Sequence, residues 1–186
     1  MKDTKSYLSK IVQDMPDSGI KDFFDVANTM EGALSLGVGE PDFPTPEHVR
    51  EAAIASIKKG DTKYTDNRGT VELRAAAADY LTKFDLHYDK QDEILITMGA
   101  SEGIDLALRT LVNPGEEVLV AEPSYVSYIP CIELCGGVPV SLKLRAENKF
   151  RLTREQLDEK ITEKSKVLLI SYPNNPTGAI MEKEDL

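Results

Sequence analysis

Short apolar runs alternate with helical segments from Glu93 onward, and this alternation constrains the fold more than any other feature of the sequence. The runs have the length and the Val, Ile and Leu content of buried strands, and they occupy residues 94–97 (ILIT), 117–121 (EVLVA), 138–142 (VPVSL) and 166–171 (KVLLIS). The helical segments between them are residues 99–112, 124–135 and 153–161. Alternating strands and helices predict an α/β fold with a mainly parallel sheet and helices on both faces. We therefore expect a sheet of at least four strands.

Two further helices are predicted before the first of these strands. The first has Thr45 as its N-cap, Pro46 at the first helical position and Gly60 as its end. The second covers residues 70–84, and the polar residues 61–69 between the two helices are expected to form a surface loop. The apolar residues that recur on one side of each helix, and that we expect to be buried, are Val49, Ala53 and Ile57 in the first and Leu73, Ala77, Tyr80, Leu81 and Phe84 in the second.

The composition favours a small-molecule partner. The chain of 186 residues has a net charge of −10 and no basic cluster, which argues against binding to nucleic acid or to anionic membranes. No apolar run approaches the length of a membrane helix, and residues 1–10 precede no hydrophobic signal core, so we expect a cytoplasmic protein. Cys131 and Cys135 are expected to be buried thiols. The isolated His48 and His87 supply neither a zinc site nor a Ser/His triad, and no metal is expected.

Residues 98–103 (MGASEG) are a candidate anion site, because open parallel sheets bind ligands beyond the carboxyl ends of their strands. Here a predicted strand continues directly into a helix through Gly99, Ala100 and Ser101. Small residues let an anion approach the free N–H groups of the first helical turn, and Ser101 adds a hydroxyl. A plain strand-to-helix turn explains the same residues equally well. There is no P-loop motif, and residues 37–42 (GVGEPD) lack the third glycine of a dinucleotide-binding motif.

Other candidate ligand contacts follow the predicted strands or lie in the Pro- and Gly-rich loop before the helices. Tyr125 can set a flat ring over a pocket, although a core position is the alternative. Asn174 and Asn175 follow a fully apolar strand, where an amide can donate to an oxygen of a bound ring. The alternative for these asparagines is an Asx-turn before Gly178. Gly39 allows a ligand to approach the backbone closely.

Five motifs, in their order and spacing, resemble the class I aminotransferases, which are pyridoxal-phosphate enzymes of fold type I. The motifs are GVGEPDFPTP (37–46), TKYTDNRGTVELR (62–74), TMGASEG (97–103), EPSYVSY (122–128) and YPNNPTG (172–178). The resemblance implies an N-terminal arm and substrate-side loop, part of the small domain, over residues 1–44. Residues 45–186 would be the amino-terminal part of the large, cofactor-binding domain. Because residues 181–186 (MEKEDL) look like the first turn of another helix, we expect a chain truncated after the NPTG motif.

The resemblance implies roles for five residues in binding pyridoxal 5'-phosphate. Gly99, Ala100 and Ser101 match the family's phosphate-binding turn. Tyr125 matches the aromatic residue that stacks on the pyridine ring. Asn175 matches the asparagine that donates a hydrogen bond to the ring hydroxyl.

Three further residues are implied on the substrate side and at a subunit boundary. Tyr64 matches a tyrosine that reaches the phosphate bound by the partner subunit, which implies a homodimer with shared active sites. Gly39 would lie against the substrate carboxylate through its backbone, and Ile20 would line the same pocket.

The implied reaction transfers an amino group from an amino acid to a 2-oxo acid, with pyridoxal phosphate as the electron sink. In the family a lysine forms a Schiff base with the cofactor and then acts as a base, an aspartate holds the pyridine nitrogen, and an arginine binds the α-carboxylate. We expect all three beyond Leu186, so no catalytic residue is assigned in this sequence and the fragment alone is expected to be inactive.

The resemblance leaves several functions open. Residues 20–28 (IKDFFDVAN) and the helix over 99–112 are most similar to the branch that acts on aromatic or related amino acids, and a diaminopimelate-type substrate is the alternative. The same fold also serves pyridoxal-phosphate lyases, including carbon–sulfur lyases. The non-enzymatic alternatives are a catalytically incompetent fragment and the effector-binding module of a transcription regulator, which the acidic charge disfavours.

Overall fold

The computed structural model describes residues 4–16, 26, 29–32, 39 and 41–186, and it divides the chain into two compact units. The sheet unit comprises Met1–Met15 and Thr97–Leu186. The helical unit comprises Pro16–Ile96. The boundary between domains at residues 44 and 45 stays a prediction from the sequence.

The described residues form six α-helices and three strands. In chain order the helices are α1 (Lys10–Asp14), α2 (Glu47–Lys59), α3 (Val71–Leu81), α4 (Ala100–Leu111), α5 (Tyr128–Leu134) and α6 (Arg154–Lys160). The strands are β1 (Glu117–Glu122), β2 (Val138–Lys143) and β3 (Ser165–Leu169). Single 3₁₀ turns occur at Thr4–Tyr7, Thr82–Phe84, Ala146–Asn148 and Lys183–Asp185. No helix in the described ranges combines the length and the apolar character needed to cross a membrane.

The strands form one parallel sheet in the order β2-β1-β3. The central strand β1 pairs with β2 along residues 138–143, and it pairs with β3 from residue 165 to residue 169 with one irregularity near Glu117. Residues 118–121 of β1 are at most 3% exposed. A central parallel strand is buried in this way because helices and loops cover both faces of its sheet.

Side chains alternate along β1, so this strand contributes to two hydrophobic cores. On one face Val118 and Val120 pack against α4 and α5 in a core that includes Leu108, Val112, Tyr128 and Ile132. On the other face Leu119 and Ala121 pack with Leu142, Leu144 and Leu152, and Leu157 of α6 lies against this second core. Helices therefore lie on both faces of the sheet, which confirms the predicted α/β class.

Residues 94–97, the first strand predicted from the sequence, do not form a strand. The sheet has three strands in the described part of the chain, so the prediction of at least four is wrong there. A strand requires a neighbouring strand for its hydrogen bonds, and the backbone of this segment instead donates from Ile96 N to Arg68 O at 3.0 Å. Without this segment in the sheet, β3 is an edge strand, since no other described strand pairs with its outer side.

The helix ends of the helical unit follow capping rules, with one correction. Pro46, and not Thr45, is the N-cap residue of α2, because its ψ of 140° is extended and the helix starts after it. Gly60 ends α2 as predicted, in the left-handed conformation with a φ of 84°. Thr70 caps α3 by accepting a hydrogen bond from Leu73 N at 3.3 Å.

The apolar stripes predicted on α2 and α3 are not buried within the described residues. Val49, Ala53 and Ile57 of α2 are exposed, Ala77 and Leu81 of α3 are half-buried, and Leu73, Tyr80 and Phe84 are 50%, 55% and 60% exposed. The described strands all belong to the sheet unit, so no described strand of the helical unit covers these residues. The fully buried residue of α3 is instead Arg74.

Candidate functional site

Three segments of the sheet unit carry the predicted cofactor residues: the start of one helix and the loops that follow two strands. Helix α4 starts at Ala100, and the loops that follow β1 and β3 contain Tyr125 and Asn175. Because β1 and β3 are parallel neighbours, their carboxyl ends lie at the same edge of the sheet. This edge is where an α/β sheet of this kind binds ligands.

The start of α4 offers hydrogen-bond donors to an anion. Gly99 is the N-cap, with a φ of 83° that favours glycine, and no atom lies within 4 Å of the position that a Cβ would occupy. Among the described residues the backbone N–H groups of Ala100, Ser101 and Glu102 have no acceptor. The Glu102 carboxylate accepts a hydrogen bond from the N–H of Met98, which precedes these three groups. The first turn of α4 therefore keeps free donors at the positive end of the helix dipole.

Tyr125 lies against the start of α4 and is 38% exposed. Its ring contacts Tyr128 edge to face, with 5.8 Å between the ring centroids. Hydrogen bonds from the hydroxyls of Ser127 and Ser101 stabilise the phenolate and lower the pKa of Tyr125 below its usual value. The structure thus brings two of the predicted cofactor residues, Ser101 and Tyr125, together. Sequence reasoning missed Ser127, because no pattern along the sequence shows that its hydroxyl lies against the phenol of Tyr125.

The two adjacent asparagines have different environments. Asn174 is 5% exposed, and its Oδ1 accepts hydrogen bonds from the N–H and the hydroxyl of Thr177. Asn175 is exposed, and its side chain makes no hydrogen bond to any other described residue. Asn174 thus closes its turn through the residue three positions on, which is not the Asx-turn considered as an alternative, because Pro176, two positions on, has no N–H. The amide of Asn175 is available to a ligand. The peptide bonds before Pro123, Pro173 and Pro176 are cis.

The remaining predicted residues belong to the helical unit. Tyr64 is fully exposed in the loop between α2 and α3. Gly39 is exposed, and no atom lies within 4 Å of the position that a Cβ would occupy there. Ile20 lies outside the described residues. The roles of these three residues stay predictions.

Arg68, in the same loop as Tyr64, and Arg74 of α3 connect this loop to a second loop of the helical unit. Arg68 makes two hydrogen bonds to the Asp66 carboxylate, at 3.1 and 2.9 Å, and these hold the pKa of Asp66 far below its usual range. The completely buried Arg74 donates to the carbonyls of Lys90 (2.5 Å) and Gln91 (2.9 Å).

Arg74 also joins this network to Asp66, with 3.6 Å between its Nη2 and the Asp66 Oδ2. Residues 66–74 and 90–91 are therefore fixed to one another by charged hydrogen bonds. Sequence reasoning missed this network, because helical periodicity does not show that an arginine beside an apolar stripe is buried.

Replacing Arg74 with alanine is expected to loosen the loop over residues 61–69. Arg74→Ala leaves the carbonyl of Lys90 without its donor, whereas the carbonyl of Gln91 still accepts from Arg68 Nη1 at 2.6 Å. We expect a loss of about 1–3 kcal/mol in the free energy of unfolding. Trypsin should then cleave after Lys63 and Arg68 several times faster than in the unchanged chain. Arg50→Ala, which removes an exposed arginine of α2, is the matched control and should leave the rate unchanged. Equal cleavage rates in both variants would contradict the role of Arg74.

Replacing Ser127 with alanine is expected to raise the pKa of Tyr125 towards its usual value, because one hydrogen bond to the phenolate is lost. The measurement is a pH titration of the chain carrying ¹³Cζ-labelled tyrosine, with the Tyr125 signal assigned by Tyr125→Phe. Ser124→Ala, a neighbouring serine outside this interaction, is the control. A Tyr125 pKa that is the same in Ser127→Ala and Ser124→Ala would show that Ser127 does not contact the phenol.

Comparisons with known proteins agree with this arrangement. The family described as aminotransferase class I and II matches residues 31–186. The putative aminotransferase YugH of Bacillus subtilis is 48% identical over 182 residues, which are 97% of this chain and 47% of that protein. Aromatic-amino-acid aminotransferase 2 of Thermococcus litoralis is 43% identical over 180 residues, 96% of this chain and 46% of that protein.

Solved structures share the fold. An aspartate aminotransferase from Thermotoga maritima superposes with a TM-score of 0.90 at 35% identity and covers 96% of this chain and 48% of its own. An aromatic aminotransferase from Pyrococcus horikoshii superposes with a TM-score of 0.80 at 39% identity and covers 89% of this chain and 44% of its own. The chain spans about half the length of the curated relatives that it matches. With most of its residues covered by the family match, the chain belongs to the class I and II aminotransferases.

Proposed function

We propose that this chain carries part of the active site of an aminotransferase that moves an amino group from an aromatic or related amino acid to a 2-oxo acid. We further propose that the enzyme is a cytoplasmic homodimer. The observation that carries the proposal is the cluster at the carboxyl edge of the sheet, where the start of α4, Tyr125 and the Asn175 loop come from three separate segments. The named relatives support the reaction type, since they are aromatic and aspartate aminotransferases.

Membership of this family implies pyridoxal 5'-phosphate as the cofactor, and the residues present fit it. A phosphate requires several hydrogen-bond donors in one place, and the free N–H groups of Ala100 and Ser101 supply them beside the Ser101 hydroxyl. Gly99 leaves space beside these groups. When bound, pyridoxal phosphate supplies an electron sink for reactions at the α-carbon of an amino acid.

Other residues would orient the ring of the cofactor. Tyr125 offers a partly exposed aromatic face for stacking. The exposed amide of Asn175 can donate to the ring hydroxyl, because no other described residue uses it. Stacking on one side and a hydrogen bond at one edge together fix both the plane and the rotation of a flat ring.

The homodimer is proposed from Tyr64. Tyr64 is fully exposed, and the Arg74 network holds its loop in place. Its side chain is therefore available to contact a second subunit. Its hydroxyl would then donate to the phosphate bound by the partner subunit. Gly39 and Ile20 would lie on the side of the amino acid substrate, where a glycine allows its carboxylate to approach the backbone.

The proposed reaction is tested by assaying the protein purified from its natural source with phenylalanine, tyrosine, aspartate and diaminopimelate as amino donors. With 2-oxoglutarate as the acceptor, we expect the 2-oxo acids of the aromatic donors to form fastest. Release of ammonia and pyruvate without any 2-oxo acid acceptor would contradict the proposal and indicate a lyase. An aspartate preference would keep the reaction type and overturn the aromatic specificity.

The cofactor contacts are tested on the chain itself with pyridoxamine 5'-phosphate, which has the same phosphate and ring hydroxyl but cannot react with lysines. Asn175→Ala and Tyr125→Leu should each weaken binding about five- to tenfold, because a hydrogen bond or a stacking contact contributes about 1 kcal/mol. Fluorescence titration measures the affinity. Asn148→Ala and Tyr88→Leu are the matched controls, since both residues are exposed and lie outside the cluster. Equal affinities in the site variants and the controls would remove Tyr125 and Asn175 from the cofactor site.

A further inference from the structure

The side chain of Asn174 joins two loops that follow different strands. Its Nδ2 donates a hydrogen bond to the carbonyl of Pro123, at 3.3 Å, in the loop after β1. Its Oδ1 accepts from the N–H of Thr177 at 3.2 Å and from the Thr177 hydroxyl at 2.9 Å, in the loop after β3. The residue is 5% exposed, so these bonds replace its contacts with water. Both the donor and the acceptor of one amide are therefore used, each towards a different loop.

The loop after β3 is closed on itself around Asn174. The backbone N–H of Asn174 donates to Ala179 O, and the carbonyl of Asn174 accepts from Gly178 N, both at 2.8 Å. The Thr177 hydroxyl accepts from Ala179 N at 3.2 Å. Asn175 is the first residue inside the turn that these bonds close, directly after the residue that anchors the turn. Any displacement of Asn174 therefore moves Asn175 as well.

The loop after β1, residues 123–127, contains the other partner of Asn174. The carbonyl that Asn174 binds belongs to Pro123, two residues before Tyr125. Tyr125 in turn contacts Ser101 at the start of α4. The side-chain amide of Asn174 thus connects the loop that contains Tyr125, the stacking candidate, with the loop that contains Asn175, the candidate hydrogen-bond donor.

We propose that Asn174 is a positioning residue that sets the spacing between Tyr125 and Asn175. The inference rests on the proposed function, in which these two neighbours contact the face and the edge of one flat ring. The polar atoms of Asn174 are occupied by Pro123 and Thr177, so its amide is not available to that ring. Asparagine suits this position because its amide has a donor and an acceptor on one short, planar group.

A purely local role for Asn174, as the anchor of its own turn, makes a different prediction. The bonds to Thr177 hold the turn, whereas the bond to Pro123 joins the loops. Asn174→Asp keeps the oxygen that accepts from Thr177 and replaces the donor to Pro123 with a second oxygen. Thr177→Val keeps the shape of the threonine and removes its hydroxyl, which weakens the turn while the bond to Pro123 stays. The two variants therefore separate the turn from the connection between the loops.

The test follows the Tyr125 signal of the chain labelled with ¹³Cζ tyrosine, first without ligand and then during titration with pyridoxamine 5'-phosphate. We expect Asn174→Asp to shift the Tyr125 resonance, to move the Tyr125 pKa towards its usual value and to weaken binding about tenfold. Thr177→Val should lower the melting temperature and leave the Tyr125 resonance in place. If Asn174→Asp does not fold, Asn174→Ser serves instead, because its hydroxyl can accept from Thr177 and is too short to reach Pro123.

An unchanged Tyr125 resonance and pKa in the folded Asn174 variant would overturn the inference, whatever happens to stability. The ligand-free measurement does not depend on cofactor binding, so it fails or succeeds separately from the proposed function. Asn175→Ala provides the converse control: it should weaken binding without moving the Tyr125 resonance. A shifted resonance in Asn175→Ala equal to that in Asn174→Asp would also count against Asn174 as the connecting residue.

Discussion

The parallel pairing of β1 with a strand on each side is the constraint on which the candidate site depends. Residues 118–121 are buried because both faces of this strand are covered, and their alternation divides the interior into two cores. A register fixed by two ladders leaves the chain no freedom in where β1 and β3 end. The loops with Tyr125 and Asn175 consequently start from rigid positions at one edge of the sheet, which is what a site built from short loops requires.

Much of the sheet unit could be predicted from the sequence because its signals are local and strong. The apolar runs at 117–121 and 138–142 became strands, and the helix expected after Gly99 begins at Ala100. The run at 94–97 has the same composition and forms no strand, since a strand also needs a partner, which composition cannot supply. The prediction that the apolar sides of α2 and α3 are buried was wrong for a related reason. Periodicity shows which residues can be buried, and burial itself depends on a second layer of structure.

The site residues divide in a similar way. Tyr125 and Asn175 are predicted site residues because their motifs resemble a family, and the structure adds the neighbours that the motifs do not specify. Ser127 and Pro123 act through a hydroxyl and a backbone carbonyl, and Arg74 acts through buried hydrogen bonds to carbonyls far along the chain. Contacts of this kind depend on tertiary packing, so no pattern along the sequence reveals them. The clearest case is Asn174, which the sequence offers as an equal of Asn175 and which the fold assigns to a different task.

The edge position of β3 also affects how this chain behaves in solution. Its outer side presents backbone donors and acceptors that no described strand uses, and Leu168 within the strand and Ile170 directly after it are exposed. An open edge of this kind with an apolar border is a template on which another extended segment can add. Strand addition through this edge is therefore expected in concentrated samples of the chain, and a lysine introduced at one of these two positions is expected to oppose it by placing a charge next to the edge.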